Sequence, residues 1–298
     1  MPIASVNGLQ LAYDELGDPG ATPLLLVMGL GAQMILWRED FCQTLAARGF
    51  RVIRFDNRDV GESSWMDHLG TPDVLQVLGA VAARQPVDAP YLLRDMAADA
   101  AGLLDALAIA RAHVVGASMG GMIAQTLAIE HPERVRSLTS IMSSTGNAEL
   151  PPPRPEAMAV LLTPPPPDRE GAIERGVTVF RTIGSPGFPF DEDEVRALAA
   201  RSFDRGFNPV GTARQLVAIL ASGSRVERLR ALRLPALVIH GTDDPLVPFA
   251  AGQDTANAIP GAELLAVEGM GHDMPRELWP RIIDAVSGLA ARADQGRG

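Results

Sequence analysis

One serine of the chain lies in a pattern that suits nucleophilic chemistry. Ser118 is the centre of Gly116-Ala-Ser-Met-Gly120, a G-x-S-x-G pentapeptide between a short apolar run and a good helix-forming stretch. A tight strand-to-helix turn exposes the serine hydroxyl and brings backbone segments into near contact, so it needs glycine on both sides. The same residue types would also suit an ordinary helix N-cap. The strand, turn and helix together favour the nucleophile.

A serine nucleophile needs a general base, and His272 is the histidine placed best for that role. It lies in a glycine-rich loop directly after a predicted strand, so its imidazole can project over the carboxyl edge of a sheet beside Ser118. A neutral imidazole there accepts the serine proton during attack and returns it to the leaving group. The alternative is a turn histidine in solvent. The other four histidines have adequate structural roles, and they are His68, His113, His131 and His240.

The base in turn needs a carboxylate that fixes its tautomer and stabilises the imidazolium. Asp243 and Asp244 both lie in the loop that follows a predicted strand. Because Asp-Pro is a common turn former, we expect one of the two carboxylates to be structural only. Residue types and spacing leave the choice between them open.

The elements that must position these residues alternate between strand and helix. Continuous apolar runs of strand length are typical of strands buried on both faces of a parallel sheet. Such a run occupies residues 23–28, and further strands are predicted at residues 50–55, 112–115, 135–142, 235–240 and 262–267. Near the start of the chain, Asn7-Gly8 predicts a hairpin over residues 6–16 with a type I′ turn. With right-handed crossovers, this pattern predicts an α/β fold with a doubly wound, mostly parallel sheet.

Residues 143–222 differ in character from the rest of the chain. Proline-rich stretches alternate there with helix-like segments, and no apolar run has the period of a strand. We therefore predict that residues 143–222 form a helical cap, or lid, over a core made of residues 1–142 and 223–298. A disordered linker is the alternative, but the segment has apolar residues to bury. The candidates for lining a substrate pocket, or for attaching the cap to the sheet, are Met158, Leu162, Phe180 and Phe188.

The composition narrows the classes of function. The 298 residues carry a net charge of −10, which argues against a general affinity for nucleic acid or for an anionic membrane. The single cysteine, Cys42, excludes an intramolecular disulfide and a cysteine-based metal cluster. No leader-like N-terminal stretch and no apolar run of about 18 residues is present. We expect a cytoplasmic protein, either a monomer or a homodimer.

The motifs together resemble those of the α/β-hydrolase superfamily, in its capped branch of serine esterases. The resemblance covers the chain from about residue 6 to about residue 291 and implies the α/β-hydrolase fold with a helical cap insertion. Three stretches carry it besides the serine pentapeptide: Asp56–Ser63, similar to a D-x-R-x-x-G-x-S loop, Leu237–Pro248 and Gly269–His272.

The resemblance also implies the remaining site residues. It favours Asp244 over Asp243 as the triad carboxylate, and it implies an oxyanion hole formed by the backbone N–H groups of Leu30 and Met119. Most members carry His-Gly where this chain has Met28-Gly29, a departure that need not remove a backbone donor. Met28-Gly29 together with the Asp-x-Arg loop is similar to the pattern in the anthracycline methyl esterases, such as aclacinomycin methylesterase.

The activity that the resemblance implies is hydrolysis of a small-molecule carboxylic ester through a covalent acyl-enzyme, with no metal and no organic cofactor. A serine rather than an aspartate at the turn argues against haloalkane dehalogenases and epoxide hydrolases. Lactonases, thioesterases, perhydrolases and C–C bond hydrolases use the same catalytic residues, so these activities remain alternatives. A different class also stays open, because some plant hormone receptors resemble hydrolases and keep the serine while turning over little.

Overall fold

The computed structural model describes residues 1–164, 166 and 168–296, so Pro165 and Pro167 of the predicted cap and residues 297–298 lie outside the described residues. The strands are β1 (Ile3–Val6), β2 (Leu9–Leu16), β3 (Thr22–Val27), β4 (Phe50–Phe55), β5 (Ala112–Ala117), β6 (Val135–Ile141), β7 (Ala236–Gly241) and β8 (Glu263–Val267). The α-helices are α1 (Glu39–Ala47), α2 (Val74–Ala82), α3 (Leu93–Ala106), α4 (Met119–Glu130), α5 (Pro155–Leu162), α6 (Arg169–Ile183), α7 (Glu192–Arg205), α8 (Pro209–Ala221), α9 (Val226–Leu229), α10 (Phe249–Ala258) and α11 (Trp279–Gln295).

The strands form one eight-stranded sheet in the order β1-β2-β4-β3-β5-β6-β7-β8. The pairs β1/β2 and β2/β4 are antiparallel, and the other neighbouring pairs of this sheet are parallel. Asn7 and Gly8, between β1 and β2, have φ of 50° and 80°, as a type I′ turn requires. The predicted α/β fold with a mostly parallel sheet is confirmed.

Helices cover both faces of the sheet. Side chains alternate along β3, so Leu25 and Val27 join one apolar cluster while Leu24 and Leu26 join another. Helices α3 and α4 contribute to the first cluster, and α1 and α11 contribute to the second. Every residue of β5 is buried as a result, which explains why this strand is apolar apart from His113. The loops at the carboxyl edge therefore start from strands that are fixed on both faces.

The predicted cap, residues 143–222, follows β6 and contains helices α5 to α8, and the described part of it contains no strand. Three of these helices begin at a capping side chain. Asp168, Asp191 and Asn208 each accept a hydrogen bond from a backbone N–H three residues further on, at 2.8 to 2.9 Å. Helix α6 packs against both α5 and α7. The described part of this segment is thus a packed group of helices.

Two buried ion pairs join α7 and α8 to the loop that follows β4. The Arg205 and Asp56 side chains approach to 2.8 Å, and those of Arg214 and Asp59 to 2.7 Å. Asp59 also accepts a hydrogen bond from the hydroxyl of Tyr91, at 2.7 Å. Burial raises the pKa of Asp59, but hydrogen bonds from Arg214, a backbone N–H and Tyr91 outweigh it and hold the pKa below its ordinary value. The carboxylate therefore stays ionised against its arginine.

Replacing Arg214 with methionine tests how much this pairing contributes. The change leaves the Asp59 carboxylate buried without its cation, and we expect it to lower the free energy of unfolding by about 3–5 kcal/mol, measured by urea denaturation. Adding Asp59→Asn removes the uncompensated charge and should recover part of the loss. Arg169→Met is the matched control, since its pair with Asp204 is exposed and the change should leave stability almost unaltered. Equal losses in the two arginine variants would contradict this account.

Candidate active site

Ser118 occupies the turn between β5 and α4, in a conformation that few side chains adopt. Its φ is 56° and its ψ is −123°, so the backbone is strained at this residue. A Cβ atom on Gly116 would lie 2.1 Å from the carbonyl oxygen of Gly120, and one on Gly120 would lie 2.1 Å from that of Val27. Both glycines of the pentapeptide are therefore required by close backbone contacts. The turn exposes the serine side chain at the carboxyl edge of the sheet.

The loops after β5, β7 and β8 bring Ser118, Asp244 and His272 together. Nε2 of His272 lies 2.9 Å from Oγ of Ser118, and its Nδ1 lies 2.7 Å from Oδ2 of Asp244. Both Asp244 and His272 are buried. An imidazole that donates its Nδ1 hydrogen to the carboxylate leaves Nε2 to accept the serine proton. The arrangement can thus turn the serine hydroxyl into a nucleophile.

The two neighbouring carboxylates have different surroundings. Asp244 uses Oδ2 for His272 and uses Oδ1 to accept two backbone N–H groups of its own loop, at 2.9 and 2.8 Å. Asp243 accepts the hydroxyl of Thr242 at 2.7 Å and the N–H of Gly269 at 2.9 Å. These hydrogen bonds lower the pKa of the Asp243 carboxyl. Asp243 therefore braces the loop that leads to the histidine, and Asp244 faces the imidazole.

A second histidine lies beside the same carboxylate. Nε2 of His240 is 3.6 Å from Oδ2 of Asp244 and 2.8 Å from the carbonyl oxygen of Val247. Burial lowers the pKa of His240, which favours the neutral ring, and a neutral ring with its hydrogen on Nε2 donates to that carbonyl. This supports the structural role predicted for His240.

The loop of His272 is also held from the predicted cap, by contacts that the sequence analysis missed. The N–H of His272 donates to the carbonyl oxygen of Ile183 at 2.7 Å, at the end of α6. Oγ of Ser185 accepts the N–H of Gly271 at 2.9 Å and donates its own hydrogen to the carboxyl group of Asp273. Burial raises the pKa of that carboxyl group. The end of α6 and the residues just after it therefore hold the backbone of Gly271 and His272 and the side chain of Asp273.

Of the two residues predicted to form the oxyanion hole, one adjoins Ser118 in the chain and the other adjoins a glycine that packs against it. Met119 follows it as the first residue of α4, and Leu30 follows Gly29, whose Cβ position would be 3.1 Å from Cβ of Ser118. Among the hydrogen bonds within the described residues, none uses the N–H of Leu30 or of Met119. Within this part of the chain, neither N–H group thus has an acceptor that a bound oxygen would have to replace.

The four predicted pocket residues differ in burial and in packing. Met158 on α5 and Phe180 on α6 are half-buried. Leu162, at the end of α5, is exposed. Phe188 packs against the apolar cluster to which α1 and α11 contribute, which favours the attachment role that was left open for it. A role in lining a pocket stays a prediction for the other three.

The described residues contain no group of three or more His, Cys, Asp or Glu side chains placed to hold a metal ion. Within the same part of the chain, no helix combines the length and the apolar character needed to cross a membrane.

The family model described as alpha/beta hydrolase fold matches residues 22–275. The chain belongs to this family. This α/β hydrolase is 32% identical over 284 residues to the rhodomycin D methylesterase of Streptomyces peucetius, with 88% of each chain covered. It is 30% identical over 256 residues to a poly(3-hydroxyalkanoate) depolymerase of Ectopseudomonas oleovorans, covering 86% of this chain and 80% of the relative.

Solved structures agree with the family. The enol-lactonase of Burkholderia xenovorans LB400 superimposes on this α/β hydrolase with a TM-score of 0.74 at 26% identity, covering 97% of this chain and 100% of the lactonase. The predicted family membership is confirmed, and the match to a methylesterase agrees with the weaker resemblance to methyl esterases. Taken together, the relatives support an acyl-cleaving hydrolase.

Proposed function

We propose that the protein is a carboxylic ester hydrolase that works through a covalent acyl-enzyme. Ser118 is the nucleophile in this proposal, His272 the general base and acid, and Asp244 the carboxylate that orients the imidazole. The observation that carries it is the pair of hydrogen bonds, 2.9 and 2.7 Å long, that joins these three side chains at a strained turn. A hydrogen-bonded serine, histidine and carboxylate is the arrangement that activates a hydroxyl for attack on a carbonyl carbon.

The first half of the reaction forms the acyl-enzyme. Oγ of Ser118 attacks the ester carbonyl while Nε2 of His272 takes its proton, and the carbonyl oxygen becomes an oxyanion. The N–H groups of Leu30 and Met119 bind this oxyanion, and the start of α4 adds the favourable end of a helix dipole. The imidazolium then protonates the alkoxide as the ester bond breaks, and the alcohol leaves.

The second half returns the enzyme to its starting state. His272 takes a proton from a water molecule, whose oxygen attacks the acyl carbon, and the same N–H groups bind the second oxyanion. The proton then passes from the imidazolium to Oγ of Ser118 as the acid departs. Throughout both halves, the hydrogen bond to Asp244 keeps the imidazole in one tautomer and stabilises its charged form.

We also propose that residues 143–222 act as the cap of this site. Support comes from the buried ion pairs of Arg205 and Arg214 and from the contacts that Ile183 and Ser185 make with the histidine loop. In this proposal Met158 and Phe180 are the best placed candidates for contact with the substrate. A small-molecule ester is the proposed substrate, and a methyl ester is the first to try because a methylesterase is among the relatives.

Labelling and turnover test the proposal together. The wild-type protein is treated with a fluorophosphonate, the labelled peptide is mapped by mass spectrometry, and hydrolysis of p-nitrophenyl and methyl esters is followed. We expect the label on Ser118 and, with the esters, sustained turnover beyond one equivalent of product. Release of one equivalent and no more would contradict the proposal in favour of a binding protein. Turnover of lactones without turnover of open-chain esters would replace the esterase by a lactonase.

A further inference from the structure

Gln215, on α8, connects two loops of the core from within the predicted cap. It is fully buried. Its Oε1 accepts the N–H of Gly31 at 2.8 Å, and its Nε2 donates to the carbonyl oxygen of Arg58 at 2.7 Å. Both ends of the amide are thus satisfied by backbone groups, as buried polar side chains require.

The loop that Gln215 binds is the one that carries Leu30. On one side of this loop, the Cβ position of Gly29 would lie 3.1 Å from Cβ of Ser118. On its other side, a Cβ on Gly31 would lie 2.8 Å from Oγ1 of Thr212, also on α8. The loop therefore lies between the serine and α8. Gly31 has a φ of 63°, a left-handed conformation that glycine adopts without strain.

Peptide planes in such a loop are coupled to one another. The hydrogen bond from the N–H of Gly31 to Gln215 holds the plane of the peptide that joins Leu30 to Gly31. The preceding peptide carries the N–H of Leu30, and its direction follows from the backbone angles of Leu30 once the next plane is held. At the start of the same loop, Nδ2 of Asn57 donates to the carbonyl oxygen of Met28 at 2.9 Å. The segment is thus held at both ends.

We propose that Gln215 is a positioning residue for the oxyanion hole, so that a cap residue sets the direction of the Leu30 N–H. This inference rests on the proposed function, because it assigns a task to a residue of the same site. Gln215 acts through the backbone and touches no substrate. An oxyanion forms only after the serine attacks, so a misdirected donor weakens the transition state more than the bound substrate.

Gln215→Met tests the proposal, because methionine has a similar length but neither accepts from Gly31 nor donates to Arg58. We expect kcat on a p-nitrophenyl ester to fall by about 10- to 100-fold with KM nearly unchanged, since removal of a whole oxyanion donor costs about 10²–10³ in kcat. Gln215→Glu keeps the acceptor for Gly31 and should lose less. A rise in KM with unchanged kcat would overturn the proposal.

Gln33→Met is the matched control. Gln33 is a buried glutamine of the core that donates to the carbonyl oxygens of Ser202 and Gly206 of the predicted cap, at 2.7 and 2.9 Å. The change removes these two hydrogen bonds between core and cap, and the one that Gln33 accepts from Arg205, without touching Gly31. We expect a comparable loss of stability but a change in kcat of less than about threefold. Equal losses of kcat in the two methionine variants would show that Gln215 only holds the cap in place.

Inhibition by a boronic acid is a measurement that a purely structural role of Gln215 would leave unchanged. Its tetrahedral adduct with Ser118 places an oxygen in the oxyanion hole, so Gln215→Met should weaken inhibition by about the factor lost in kcat/KM. Inhibition as strong as in the wild type would refute the proposed role. Failure of the proposed function looks different, because the wild-type protein itself would then neither turn over esters nor take up the label.

Discussion

Replacing Ser118 with alanine should reduce ester turnover by roughly 10⁵- to 10⁶-fold, because the variant has no oxygen nucleophile and leaves His272 only water to activate. Alanine meets the same backbone strain as serine at this turn and removes only the hydroxyl. Turnover is measured at saturating ester, and the folded state is checked by thermal unfolding. The fluorophosphonate label should disappear in the same variant.

Ser140→Ala is the matched control for this change. Ser140 is a buried serine on β6, the strand next to β5, and its Oγ accepts a hydrogen bond from Gln125 at 3.2 Å. The variant removes one hydroxyl from the same part of the sheet, and we expect turnover within a few-fold of the wild type. If Ser118→Ala kept more than about a thousandth of the turnover, another residue would be the nucleophile.

Asp244→Asn should lower kcat by about 10⁴-fold, although the side chain keeps its size. Oδ1 of Asp244 accepts two backbone N–H groups, so the amide oxygen of the asparagine must take that place and its NH2 group must face the imidazole. Nδ1 of His272 then accepts a hydrogen bond, and the ring hydrogen moves to Nε2. With its hydrogen on Nε2, the imidazole cannot take the proton of Ser118. The drop in kcat is the measurement.

Asp243→Asn makes the same chemical change one residue earlier. Asp243 accepts hydrogen bonds from the Thr242 hydroxyl and the Gly269 N–H, and an asparagine oxygen can still accept from Gly269. We expect a kcat within about fivefold of the wild type and a small loss of stability. A large loss of kcat here together with a small one in Asp244→Asn would assign the triad carboxylate to Asp243 instead.

The sequence predicts the central strands of the sheet well because a strand covered on both faces is mostly apolar, as β5 is apart from His113. The first strand is different. The predicted hairpin begins at residue 6, but β1 begins at Ile3. β1 is an edge strand, and its buried and exposed residues alternate. Four residues of alternating burial give too short a pattern for a prediction.

The serine turn is predictable for a local reason, because its steric demands fall within five residues. Residue types alone do not identify the carboxylate, since Asp243 and Asp244 are adjacent and the hydrogen bonds of the folded loop orient one of them toward the histidine. Only the family resemblance favours Asp244. Gln215 and Ser185 escape sequence reasoning altogether. They contact residues 184 and 86 positions away in the chain, and no pattern of residue types marks such pairs.

The buried ion pairs of α7 and α8 also affect the stability of chimeras between this protein and its relatives. A chimera that takes residues 143–222 from another hydrolase loses the native partners of Asp56 and Asp59, and it loses the acceptor for the N–H of Gly31. Each carboxylate left alone in the interior destabilises the hybrid. We therefore expect a stable chimera to require the exchange of the segments around residues 29–33, 56–59 and 205–215 together.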